Sequence, residues 1–106
     1  MTRTNFYSAT GRIMFSLAEI KLQNSDAGYY FFSKGALSFF KCKVSSEVFQ
    51  GVDGIFFVTS DAPSGSERRY TVRRFDSETC KVTTFSRFQE FATLNEAKKC
   101  AKDAAD

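Results

Sequence analysis

Histidine, the usual general base near neutral pH, does not occur anywhere in the 106 residues. The three cysteines, Cys42, Cys80 and Cys100, lie far apart and form no C-x-x-C pair. Zinc sites draw on Cys and His at short, paired spacings, so neither a metal nor any other cofactor is expected. Cys42 stands between Lys41 and Lys43, neighbours that lower a thiol pKa, yet no base or orienting group accompanies it. For all three the default reading is a small buried hydrophobe. Asp53, Asp61 and Asp76 each sit beside Gly, Pro or Ser, where Asp is favoured for local hydrogen bonding in turns. Gly51 and Gly54 precede a run with strand character rather than a helix, which fails the phosphate-loop pattern. The catalytic inventory is empty, and the chain reads as a non-enzyme.

Two features remain that could bind. The first is the run Arg68-Arg69-Tyr70-Thr71-Val72-Arg73-Arg74-Phe75, followed by Lys81 and Arg87 on the expected neighbouring strand. Alternate residues of a strand face opposite ways, so Arg69 and Arg73 share one side and Arg68 and Arg74 the other. Such a stripe can contact phosphates or anchor a partner's carboxylates; equally, it can be a solvated edge strand whose charges discourage strand-to-strand aggregation. The second feature is aromatic: 13 Phe and 4 Tyr exceed what the core of a 12.0 kDa chain needs, and Tyr29, Tyr30 and Phe31 open a run of four rings. Exposed aromatics serve protein interfaces and single-stranded nucleic acids alike. The candidate binding residues are therefore Tyr29, Tyr30, Phe31, Arg68, Arg69, Arg73, Arg74 and Arg87. A net charge of +3 excludes an acidic mimic of DNA and falls short of a polybasic nucleic-acid binder.

The elements that carry these residues follow from periodicity. Residues 1–11 read as a tail or short extended piece. From Arg12, Ile13, Leu17 and Ile20 follow a helical spacing, with Thr10 as a cap and Asn24-Ser25-Asp26 before Gly28 as the stop. Ser33 caps a brief second helix over residues 34–40. Strands are expected at 44–49, at 55–59, which is apolar on both faces and hence central, at 68–75 and at 81–86. Thr93-Leu94-Asn95-Glu96 has the form of a capping box. It opens a terminal helix with Leu94, Ala97, Ala101 and Ala104 toward the sheet and Lys98, Lys99 and Lys102 outward. The sum is one α+β domain over residues 1–106. It is a four-stranded antiparallel meander with an N-terminal helix, a short second helix and a C-terminal helix, the helices on one face and the other partly open.

Three unpaired thiols fit a reducing cytoplasm, the N-terminus lacks the apolar region of a signal peptide, and no apolar stretch is long enough to span a membrane.

Four segments carry a resemblance. Residues 31–40, Phe-Phe-Ser-Lys-Gly-Ala-Leu-Ser-Phe-Phe; residues 54–60, Gly-Ile-Phe-Phe-Val-Thr-Ser; Arg69-Tyr70-Thr71-Val72-Arg73; and Phe88-Gln89-Glu90-Phe91 resemble a family of small uncharacterised proteins. Bacteriophages, and the bacterial genomes and mobile elements that host them, encode that family. The resemblance runs from about Tyr29 to Ala104 and brings no catalytic residues. It implies a genomic context, and small phage proteins without catalytic residues are often accessory factors that act in the cytoplasm of the bacterial host on a host protein or protein complex, inhibitors of defence such as anti-CRISPRs among them. The expectation is thus a protein-binding module, with a small nucleic-acid-binding domain using the same basic, aromatic-rich sheet face as the alternative.

Overall fold

The computed structural model describes residues 6–7, 13–38, 41–52, 54–63 and 66–106. Its frame is the α+β meander read from the sequence. Strands β1 (Phe6–Tyr7) and β2 (Ile13–Met14) pair antiparallel, followed by helices α1 (Leu17–Asp26) and α2 (Lys34–Ser38). Then come β3 (Lys43–Gly51), β4 (Gly54–Asp61), β5 (Arg69–Phe75) and β6 (Val82–Thr84), and α3 (Leu94–Ala105) ends the chain. The last four strands form one sheet in the order β3-β4-β5-β6, each neighbour antiparallel.

Residues Ile55 to Asp61 of β4 are all buried. A strand apolar on both sides needs cover on both, and the helices divide accordingly instead of sharing a face. On one side Phe56, Val58 and Val72 pack against Ala97 and Ala101 of α3. On the other, Ile55, Phe57 and Phe75 pack against Ile20 of α1, with Phe15, Phe31 and Phe32 around them. The expectation of one open face is thereby corrected.

Both long helices are set by their caps. Thr93 and Glu96 close the capping box, the Thr93 amide donating to Glu96 Oε1 at 3.2 Å and the Glu96 amide to Thr93 Oγ1 at 3.3 Å. Helix α1 starts at Leu17, later than the helical spacing suggests. Ser16 holds an extended backbone and accepts the Glu19 amide at 3.2 Å, while Ile13–Met14 are spent on pairing with Phe6–Tyr7. Gly28, at φ 93°, takes the left-handed conformation after α1 that the sequence leads one to expect. Ser33 caps α2 through the Ala36 amide at 3.2 Å. Thr10, and the residues beyond Ser38 to which α2 was expected to extend, lie outside the described residues.

Two further corrections bear on the site. Strand β5 is internal, with β4 on one flank and β6 on the other. Beyond β6, Phe85, Ser86 and Phe91 continue along it: the amides of Phe85 and Ser86 donate to the Val72 carbonyl, and Tyr70 and Phe91 exchange both backbone bonds. Its arginines therefore do not guard an edge. Asp61 is the last residue of β4 and is buried, not a turn residue. Asp76 does hold its turn, accepting the Glu78 amide at 2.9 Å and, more weakly, the Thr79 amide; these bonds keep its carboxyl below the usual range.

Candidate functional site

Arg69, Thr71 and Arg73 alternate along β5 and so look out on the α1 side of the sheet. Their partners on β4 are Asp61, Thr59 and Phe57 respectively. Arg73 thus stands in a row of small hydroxyls: its Nε donates to Thr59 Oγ1 at 2.9 Å and its Nη1 to Thr84 Oγ1 of β6. Its guanidinium carbon lies 5.3 Å from the centroid of Phe31 and 5.6 Å from that of Phe88, within reach of the attraction between a cation and an aromatic face. Burial pushes the Arg73 pKa down, and the nearby Asp61 carboxylate works against that shift.

Arg69 does a different job. Its Nε donates to the Gln89 carbonyl at 3.0 Å and its Nη2 to the Glu90 carbonyl at 2.8 Å. The Gln89 amide in turn donates to Thr71 Oγ1 at 2.7 Å. Gln89 sits at φ 58°, a conformation uncommon outside glycine, and β5 holds it from both sides. The consequence is the placement of its neighbour Phe88 against Arg73.

The remaining expected site residues are spread out. Phe31 joins the core, edge-on to Phe57 at 6.3 Å, and reaches the site through Arg73. Tyr29 and Tyr30 precede it on the surface, Tyr30 with 79% of its area exposed. Arg68 faces the opposite side and donates from Nη1 to Ser60 Oγ at 2.8 Å. Arg74 also faces that side, 3.9 Å from the Asp76 carboxylate and close against Gly54. Arg87 is exposed, its amide bonded to Glu90 Oε1 at 2.9 Å. The structure therefore gathers Phe31, Arg69 and Arg73 and leaves Arg68, Arg74 and Arg87 elsewhere.

Cys42 is half-buried rather than fully buried as expected, and its flanking lysines do not lower its pKa. Burial, with Asp61 beside it, raises its pKa to about 11 in spite of Arg73 and Arg68. Lys41 and Lys43 flank it in sequence, but both are exposed, and a thiol so raised is protonated and a poor nucleophile at neutral pH. Among the described residues no group of three or more His, Cys, Asp or Glu could hold a metal ion, and no helix is long and apolar enough to cross a membrane.

Reading residues singly missed Phe88, Gln89, Asp61 and the threonines opposite the arginines. Thr59, Thr71 and Thr84 lie at alternate positions facing that side, a pattern visible only once strand register is known. Half of the Phe88 surface, 51%, is exposed.

Residues 16–102 match a family of unknown function (DUF7447). No curated protein and no solved structure matches the chain.

Proposed function

The chain belongs to that family of unknown function, DUF7447, and from its own side chains we propose that it is a non-catalytic protein-binding module. One observation carries the reading: Phe88, half exposed, is fixed against Arg73 by a backbone that β5 holds rigid. An aromatic ring held ready at the surface beside a cation is the kind of anchor that dominates protein interfaces, and it loses little entropy on binding. Tyr30 adds a second exposed ring next in sequence to Phe31, the other ring against Arg73. Asp61, buried nearby, offsets part of the basic charge. Together the exposed rings and the partly neutralised arginine suit an apolar protein surface better than a phosphate backbone.

A non-enzymatic role is supported by the absence of histidine and by the raised Cys42 pKa. In the finer form of the proposal the chain is a phage accessory factor acting in the bacterial cytoplasm on a host protein or complex, in the manner of an anti-CRISPR. Its support is the four-segment resemblance and the three free thiols.

The test is capture from a lysate of the source cells with tagged wild-type chain and a Tyr30→Ala/Phe88→Ala variant side by side. A protein retained by the wild type and lost from the variant supports the reading. Retention of nucleic acid that washes off with salt, equal in both chains and with no protein lost, would replace it with a nucleic-acid-binding role.

A further inference from the structure

The α3 side of the sheet holds a cleft of about 270 Å³ between β3, the end of β4, the start of β5 and the first turn of α3. Strand register explains its chemistry. Lys43 of β3 and Tyr70 of β5 both lie opposite Ser60 of β4, so one row across three strands carries an ammonium, a hydroxyl and a phenol. Arg68 joins the row from the residue before β5, its guanidinium fixed on Ser60 Oγ at 2.8 Å. Ser45, Leu94 and the stretch of β4 through Val58 and Thr59 also line it, with Val44, and no carboxylate does among the described residues.

Leu94 and the Tyr70 ring are partly buried against the core cluster of this side, which makes the floor apolar while the mouth is cationic. Leu94 is also the first residue of helix α3, whose opening amides are already taken by Thr93 and Glu96, so the positive charge of the cleft comes from Arg68 and Lys43. A bare inorganic anion would use the rim and leave the floor unfilled. The volume lies at the small end of small-molecule sites, which pair an apolar lining with a few polar groups that orient the ligand.

We propose that this cleft binds a small organic oxyanion, a phosphate or carboxylate group on an apolar body, with Arg68 and Lys43 on the oxygens and Tyr70 and Leu94 against the body. The site lies on the opposite face of the sheet from Arg73 and is independent of the protein-binding surface, so either can fail alone.

The experiment is titration of the intact chain with phenyl phosphate, benzoate, inorganic phosphate and phenol, followed by calorimetry and by amide chemical shifts. Phenyl phosphate or benzoate is expected to bind at about millimolar affinity or tighter, with shifts at Ser45, Ser60 and Tyr70. Inorganic phosphate should bind more weakly and phenol not measurably. The preference between the phosphate and carboxylate probes identifies the headgroup. Arg68→Met should weaken binding by about ten- to a hundredfold, and Lys43→Ala by less. Lys99→Ala, on the exposed side of α3, should change nothing. The proposal is overturned if neither organic anion binds, if the shifts map elsewhere, or if Lys99→Ala costs as much as Arg68→Met. Inorganic phosphate binding as well as phenyl phosphate would mean an adventitious ion only and would also overturn it. Should Arg68→Met fail to fold, Lys43→Ala and the wild-type shift map decide the matter.

Discussion

The two faces of the sheet are covered in opposite ways. Under α3 the contact is small against large: Ala97 and Ala101, wholly buried, meet Phe56, Val58 and Val72. The helix comes so close that a methyl group on Gly51 would sit 1.9 Å from the Ala105 carbonyl oxygen. On the α1 side Ile20 is joined by rings from the segments that flank the helix, and the contact is largely ring against ring. Phe31 and Phe32 lie 6.3 and 5.9 Å from Phe57, and Phe15 lies 6.2 Å from Phe75. This second side also takes in most of the buried polar groups, Glu19, Asn24, Thr59, Asp61 and Thr71. Asn24 Oδ1, Asp61 Oδ2 and Gln89 Nε2 find no hydrogen-bond partner among the described residues. A buried polar atom without a partner costs about 1–3 kcal/mol. One face is thus a small-against-large seam, while the other, equally well filled by rings, also carries the Asp61 carboxylate and the Gln89 amide beside Arg73 and Phe88.

That contrast can be broken by changing volume on each side. Phe57→Ala should cost about 3–5 kcal/mol, the range for removing a fully buried ring, and Ala101→Leu about 1–3 kcal/mol through overpacking. Chemical denaturation measures both; an Ala101→Leu variant as stable as wild type would mean the α3 seam has room that its geometry denies. Next in size is Arg73→Ala, expected to lose about 2 kcal/mol as two hydroxyl contacts and two ring contacts disappear. Arg73→Lys should recover little of it, because an ammonium lacks the planar fork and stacks less well. Full recovery would show that charge alone matters at this position.

Cys42 sharpens the comparison by pH. Its folded pKa of about 11 lies above the ordinary 9.0, so the folded chain keeps its proton longer than the unfolded chain does. The associated stability is complete below pH 9 and declines as pH rises toward 11. Cys42→Ala should flatten that decline in denaturation curves taken across the interval. The smallest effect is expected at the Glu47–Lys98 pair linking β3 to α3, with oxygen and nitrogen 3.1 Å apart. Its coupling should be about 0.2–1 kcal/mol and should fade with salt, as read from a double-mutant cycle.

The meander was legible because β-branched and aromatic runs alternate with turn residues, and because Thr93 and Glu96 spell out a cap. The start of α1 was not. Ile13 keeps the helical spacing with Leu17 and Ile20, but the extended backbone at Ser16 and the pairing of Ile13–Met14 with Phe6–Tyr7 hold the helix back to Leu17. The site was half legible. Arg69 and Arg73 could be placed on one face by alternation alone, but their roles depend on residues 59, 84 and 88–90. Those contacts span separations of 11 to 21 residues, which no local pattern encodes. The same distance in sequence hid Asp61 from Cys42, and with it the direction of the thiol's shift.

The proposed binding role stands or falls on Tyr30 and Phe88, two rings that are exposed and contribute little to the core. Affinity for the captured partner and melting temperature should be measured in parallel on the wild type and on Tyr30→Ala/Phe88→Ala. The double variant should melt within a few degrees of wild type, since exposed contacts contribute about 1 kcal/mol or less. Its affinity should fall by about 2 kcal/mol or more, the loss that marks an interface anchor. Unchanged affinity in a folded double variant would contradict the assignment of this surface as the binding site.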